Sequence, residues 1–305
     1  VECHGAGEAS RDENVPDGWG QSIPPKMRAR QVAASRHATC AIRADTHALQ
    51  CWGRNHSGQT RPPEGAFRML QGAALPPGAG GPGWFCAITR DRRVRCWGGR
   101  RYQLDEEASP QALSRGAGRR AAPQSPERVI AGTTRTCFAG PAGRAACIGG
   151  PTGGRLRVLP GRYRRLFHAE SRICTLDFEG TIRCGSEKVE LPVDGPFETV
   201  QASAWGRVCA VTKQGELGCS SEHRAAPTRL AGPDVESLAM TGFFSCVRYE
   251  DDTARCAPNE YAKPEMRGPP PYEHLWERVT TELDNVRQLS AGWGHICALK
   301  ENGRV

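Results

Sequence analysis

The fourteen cysteines of this 305-residue chain fall at regular separations. Cys86–Cys96, Cys137–Cys147, Cys174–Cys184, Cys209–Cys219 and Cys246–Cys256 are each ten residues apart, and Cys40–Cys51 eleven. Cys297 opens a further copy that runs out at Val305, and Cys3 stands near the other end with no partner of its own. Seven pairs then use every cysteine, the last joining the two ends of the chain. Each pair brackets a stretch that reads as a β-hairpin, as in Cys174-Thr-Leu-Asp-Phe-Glu-Gly-Thr-Ile-Arg-Cys184. Opposed cysteines ten apart leave a three-residue loop, whose last residue is left-handed and best served by glycine. Gly143, Gly180, Gly215 and Gly303 occupy that place, while Arg92 and Asp252 depart from it. Side chains alternate along a strand, so Ile88 with Val94, Leu176 with Ile182 and Val211 with Leu217 share the face of their cysteines.

Opposed cysteines on neighbouring strands come within bonding reach. Reduced thiols and zinc ligands are the alternatives, but zinc asks for short clusters converging on one ion, not seven separated pairs. Disulfides are expected, and with them an oxidising compartment: secreted, periplasmic or cell-surface. No run of about 18 apolar residues suggests a membrane-spanning helix. The chain begins at Val1 with no visible signal peptide, which reads as a processed or trimmed product.

From one first cysteine to the next the steps are 46, 51, 37, 35, 37 and 51 residues, and 48 across the chain ends. Periods of this size belong to the blades of a β-propeller. Five positions before each first cysteine stands a small residue (Ser35, Gly81, Gly132, Ala169, Ala204, Thr241, Gly292), suited to strands crowding a central axis. The connectors carry loop-like inserts, notably Leu104–Glu127 and the proline-dense Pro264–Pro271. Glu273–Leu283 is expected to form a short helix.

The stretches 32–42 (Val-Ala-Ala-Ser-Arg-His-Ala-Thr-Cys-Ala-Ile), 51–59 (Cys-Trp-Gly-Arg-Asn-His-Ser-Gly-Gln) and 289–299 (Leu-Ser-Ala-Gly-Trp-Gly-His-Ile-Cys-Ala-Leu) resemble regulator of chromosome condensation repeats. More narrowly they resemble the exported bacterial type with a Cys-Trp-Gly signature, similar to the β-lactamase inhibitory propeller proteins. The resemblance spans the chain but fades over 130–260, where Cys-Trp-Gly becomes Cys147-Ile-Gly, Cys184-Gly-Ser, Cys219-Ser-Ser and Cys256-Ala-Pro. It implies an all-β fold, a single seven-bladed propeller over residues 1–305. Its blade hairpins would be 40–51, 86–96, 137–147, 174–184, 209–219, 246–256 and 297–305, the last completed by residues 1–3.

No Gly-x-Ser-x-Gly, His-Glu-x-x-His, phosphate loop or EF-hand loop occurs, so neither an enzyme nor a cofactor or metal site is expected. His37 and His295 read first as structural, and Trp52 and Trp97 as blade packing. The candidate binding residues lie in the short loops before each first cysteine: Arg36, His37, Trp84, Arg135, Arg172, Trp205, Arg207, Phe243, Trp293 and His295. Trp and Arg are the types most enriched at the energetic centres of interfaces. The expected role is an extracellular module that binds a protein through one propeller face. The alternatives are a structural subunit of a cell-surface assembly, or a lectin for anionic polysaccharide. Residues 90–185 hold 19 arginines and eight acids, a net +11 within a chain of net +8. Such a sector attracts anionic partners, although a high-GC composition produces the same excess. Nucleic acid is not an expected partner, since no reading motif is present.

Overall fold

The computed structural model describes residues 2–5, 19–73, 83–98, 126–132, 135–149, 157–169, 172–203, 206–220, 234–241, 244–258, 282–292 and 294–303. Seven antiparallel sheets form a propeller. The N-terminal strand β1 (Glu2–Gly5) belongs to the last of them. Blade 1 is β2 (Ala29–Ala34), β3 (Ala38–Arg43) and β4 (Leu49–Gly53); blade 2 is β5 (Phe67–Gly72), β6 (Phe85–Thr89) and β7 (Val94–Trp97). Blade 3 is β8 (Arg128–Ala131), β9 (Arg135–Ala139), β10 (Ala145–Gly149) and β11 (Arg157–Leu159). Blade 4 is β12 (Arg165–Ala169), β13 (Arg172–Leu176), β14 (Ile182–Cys184) and β15 (Glu187–Lys188). Blade 5 is β16 (Phe197–Ala202), β17 (Val208–Thr212) and β18 (Leu217–Cys219). Blade 6 is β19 (Val235–Met240), β20 (Phe244–Tyr249), β21 (Ala254–Pro258) and β22 (Glu282–Leu283). Blade 7 is β23 (Val286–Ala291) and β24 (His295–Lys300), completed by β1.

The first strands of successive blades touch in a closed circle, β2 to β5, β8, β12, β16, β19, β23 and back to β2. All seven disulfides form as the spacing predicts, one in each blade. Cys3 opposes Cys297 in register, so the N-terminal strand closes the ring across 294 residues of sequence. A closed ring leaves no terminal blade with an uncovered face, only short, protected strand edges.

The hairpins share one turn. The seventh residue counted from the first cysteine donates its N–H back to the carbonyl of the fourth, as Gly143 to Gly140 and Gly180 to Asp177. Arg92 (φ 65°) and Asp252 (φ 61°) adopt the same left-handed backbone as the glycines, so the departures in sequence are not departures in shape. The longer first hairpin turns instead through His47 (φ 60°), held by Asp45 bonds to Thr46. Ile88, Val94, Leu176, Ile182, Val211 and Leu217 are all buried, with Ile88 opposite Val94, Leu176 opposite Ile182 and Val211 opposite Leu217.

Two readings of the sequence need correction. The small residue at the end of each first strand is Ala73 in blade 2 and Ser203 in blade 5, both buried. Gly81 and Ala204 lie outside the described residues. Counting back from the cysteine assumes loops of constant length, and residues 74–82 break that assumption. Most of the expected helix at Glu273–Leu283 also lies outside the described residues, but Glu282 and Leu283 form the outer strand of blade 6, opposite Arg255 and Ala254.

Trp52 and Trp97 pack as expected. Both are buried, and their indoles donate to the carbonyls of Gln21 (2.9 Å) and Gln59 (3.0 Å). Each glutamine follows a left-handed glycine, Gly20 or Gly58, so one device is used twice.

Candidate functional site

The first strands run from the hairpin-tip face to the opposite loop face, and their inward edges face the axis with no strand to pair with. Unmet backbone groups in such a place are costly, and side chains from the preceding blade meet them. Gln288 of blade 7 accepts from the Val32 N–H (3.1 Å) and donates to the Val32 carbonyl (3.0 Å). Gln31 of blade 1 does the same to Leu70 of blade 2, at 3.0 and 2.9 Å. The Met69 sulfur receives the Val129 N–H at 3.3 Å, and the Ser290 hydroxyl receives the Ala34 N–H at 2.9 Å. A primary amide suits this work because it offers a donor and an acceptor side by side.

In blades 3 and 4 the same strand position holds Arg128 and Arg165. A guanidinium has no acceptor, so the two-way clasp is impossible there. Arg128 instead donates to the Arg164 carbonyl at 2.9 Å. A cavity of about 460 Å³ opens along the axis at this point. Its wall includes Arg128, Arg165, Gln31, Gln71 and Gln201, with Ser203 toward the loop face, and no Asp or Glu among the described residues lines it. Desolvation, then the charges of Arg128 and Arg164, make the Arg165 guanidinium less willing to hold its proton.

His168 also lines the cavity, one residue along β12 from the partner of Cys174. The other blades carry Ala34, Gly72, Ala131, Ala202, Met240 and Ala291 in that place, mostly small. The imidazole lies over Gly132 of blade 3 so closely that a Cβ there would fall inside the ring's van der Waals envelope. Its ring nitrogens are enclosed and make no hydrogen bond of normal geometry. Burial, and secondarily the Arg135 charge, push its pKa down to about 4, against the opposing pull of the Arg135 and Arg172 backbones.

The loop-face candidates divide into two groups. His295 is fully buried, set against Gly292, and its Nε2 lies 2.9 Å from the Thr39 hydroxyl, which itself donates to the Gln21 carbonyl. Burial, then the neighbouring His37, hold its pKa down to about 3. His37, Trp84 and Arg207 are buried as well. Trp84 lies in a hydrophobic cluster with Ile88, Val94 and Val129, and His295 reaches blade 1 through Thr39. Arg36 and Arg135 are half-buried, and Arg172 is exposed with Glu187 at 3.4 Å. Trp205, Phe243 and Trp293 lie outside the described residues. Arg135, Arg172 and Arg207 each sit two residues before the first cysteine of blades 3, 4 and 5, so the fold sets them in consecutive blades. Among the described residues no three metal-ligating side chains converge.

The sequence reading missed the axial residues Gln31, Gln288, Arg128 and Arg165. Their signal is the repeat frame: each lies two positions ahead of the residue that pairs with a first cysteine, which is visible only once the pairing register is known.

No protein-family model matches the chain, and no curated protein matches it in sequence. In structure it is similar to the ectodomain of the receptor kinase CR4 from Physcomitrella patens, at 18% identity and a TM-score of 0.62, over 90% of this chain and 71% of that one. It is similar to the CRINKLY WD40 ectodomain of the Arabidopsis thaliana receptor kinase ACR4, at 18% and 0.61, over 91% and 93%. It is also similar to Prp20p of Saccharomyces cerevisiae, at 12% and 0.61, over 99% and 92%. At such identities the likeness is one of fold: the chain is a β-propeller of the shape shared by the yeast RCC1 protein and these receptor ectodomains.

Proposed function

We propose that residues 1–305 act as one propeller, an extracellular binding module that takes an acidic protein surface on its loop face. The observation that carries this is the pair Arg135 and Arg172, accessible at one strand position in consecutive blades. Arg36 adds a half-exposed cation, and Trp205, Phe243 and Trp293 are candidate aromatic anchors of the same loops. Arginine forks suit carboxylates, and a rigid, disulfide-locked scaffold lowers the ordering cost of binding. The loops differ from blade to blade, which favours one protein epitope over the repeated pockets of a lectin. Seven disulfides support assembly in an oxidising compartment. A protein of this shape, yeast RCC1, has a protein partner in its complex with Kap60.

The test immobilises the disulfide-intact protein and exposes it to secreted and surface proteins of its source. Arg135→Gln/Arg172→Gln and Trp205→Ala/Trp293→Ala variants run beside it. One dominant acidic protein, lost with both variants and weakened by salt, supports the reading. Capture of polysaccharide, or of a protein indifferent to both variants, overturns it.

A further inference from the structure

We infer that the axial cavity is a binding site for a small polyvalent anion, one bearing phosphate or carboxylate groups, gripped by Arg128 and Arg165. The site is separate from the loop-face contacts: the two arginines lie toward the hairpin-tip end of the first strands, and the loop-face pair at their opposite end. The cavity's size, about 460 Å³, is within the roughly 300–1,000 Å³ range of small-molecule pockets.

Three observations converge on an anion. The first is composition: two guanidiniums and three side-chain amides line the wall with no carboxylate among the described lining residues. The second is pairing. Among the described residues Arg128 makes one bond, to the Arg164 carbonyl, and neither Arg128 nor Arg165 pairs with an acid. Glu198, the acid beside this cluster, lies 3.8 Å from Arg164. Three like charges held together on adjacent strands repel one another, and a bound anion relieves that repulsion. The third is the contrast with the rest of the ring. Gln31 and Gln288, at corresponding places, use their amides on the next blade's backbone. Arg128 and Arg165 cannot clasp a backbone in both directions, so their forks remain for a ligand with several acceptor oxygens. Gln71 and Gln201, farther along the channel, supply neutral donors to the ligand's inner end.

The experiment is calorimetric titration of the full, disulfide-intact chain with pyrophosphate and with citrate, at constant ionic strength, with glucose as the neutral control. Saturable binding of either anion, and none of glucose, is the expected result; the stronger of the two identifies phosphate or carboxylate as the natural group. Arg128→Gln/Arg165→Gln should weaken it by about a hundredfold, since each charge-assisted bond is worth about tenfold or more. Arg183→Gln, at an exposed position of β14 in the blade of Arg165, should leave it unchanged. Crystals of the wild-type protein soaked in pyrophosphate provide a readout independent of variant folding, with the anion expected between Arg128 and Arg165. Equal affinity in the double variant, density only elsewhere, or no saturable binding overturns the inference. Arg135→Gln/Arg172→Gln should bind these anions normally, so failure here and failure of the loop-face reading are distinguishable.

Discussion

The junctions of blades 7, 1 and 2 and the sector of blades 3 to 5 solve the same problem differently. At the first, Gln288 and Gln31 reproduce strand-like pairing with the next blade. Two tryptophans tie their indoles to glutamine carbonyls, and Cys3–Cys297 completes the lock. In the second, the amides give way to Arg128 and Arg165, the Cys-Trp-Gly signature is lost, and the cavity opens. Groups that close one side of the ring are exchanged on the other for groups that repel each other. One region is built to hold, and the other keeps Arg128 and Arg165 together with no acid paired to either among the described residues.

The largest expected effect tests the holding side. Chain-entropy arithmetic gives about 5–6 kcal/mol for tethering residues as distant as Cys3 and Cys297, against about 3 kcal/mol for a ten-residue hairpin. Cys3→Ser/Cys297→Ser should therefore lower stability in denaturant unfolding well beyond Cys174→Ser/Cys184→Ser. Equal losses would remove the N-terminal strand from its privileged place.

Next comes Gly132→Ala, which drives a methyl into the His168 ring and should cost about 3 kcal/mol, the upper end for overpacking an enclosed site. In a His168→Ala background the penalty should largely vanish. A penalty that persists would place the strain in the backbone of Gly132 instead.

Both regions hide a histidine, His168 at one junction and His295 at the other, each set against a glycine. Their folded pKa values, about 4 and about 3, lie below the unfolded value near 6.5. The unfolded chain binds more protons in that window, so stability is full above pH 6.5 and is lost as pH falls toward 4 and below. Each histidine should contribute a loss on the order of 3 kcal/mol by pH 4. His168→Gln should flatten the upper part of the slope, and an unchanged profile would show that the ring is solvated.

A smaller effect separates the two clasps directly. Gln288→Leu leaves the Val32 N–H and carbonyl without their side-chain partner and should cost about 1–3 kcal/mol. Arg128→Leu should cost less than 1 kcal/mol or even stabilise, because it removes a repelling charge. If the arginine costs as much as the glutamine, the contrast between the regions fails. Last, Arg92→Gly should stabilise by about 0.5–1 kcal/mol, since a left-handed backbone strains any residue with a Cβ.

Much of the fold was legible because a disulfide is a sequence-visible record of strand register. Cysteines ten apart dictate the hairpin, its turn and its buried face, and the leftover Cys3 and Cys297 dictate closure. Even Arg92 and Asp252, which break the glycine rule, keep its geometry, because the loop length leaves no other turn. The site was less legible for the same reason in reverse. Gly81 and Ala204 were placed by counting through loops whose lengths vary, where the structure puts Ala73 and Ser203. His295, Trp84 and Arg207 have the right chemistry for recognition but are buried. Arg135 and Arg172, at the same offset from the first cysteine as His295 and Arg207, are not, so the offset alone does not reveal exposure. The sequence shows an arginine excess at 90–185; only the closing of the ring brings Arg128 and Arg165, 37 residues apart, to adjacent walls of one channel.

The bond between Cys3 and Cys297 also changes what kind of object the chain is. Backbone and disulfide together form a covalent loop through all seven blades. A linear row of repeats loses its end units first, each held by one neighbour; this ring has no end unit to lose. A protease that cuts one connector anywhere between residues 3 and 297 leaves a single connected molecule, with every blade still tethered. Two separate events are needed to divide it, two cuts or one cut and a reductant.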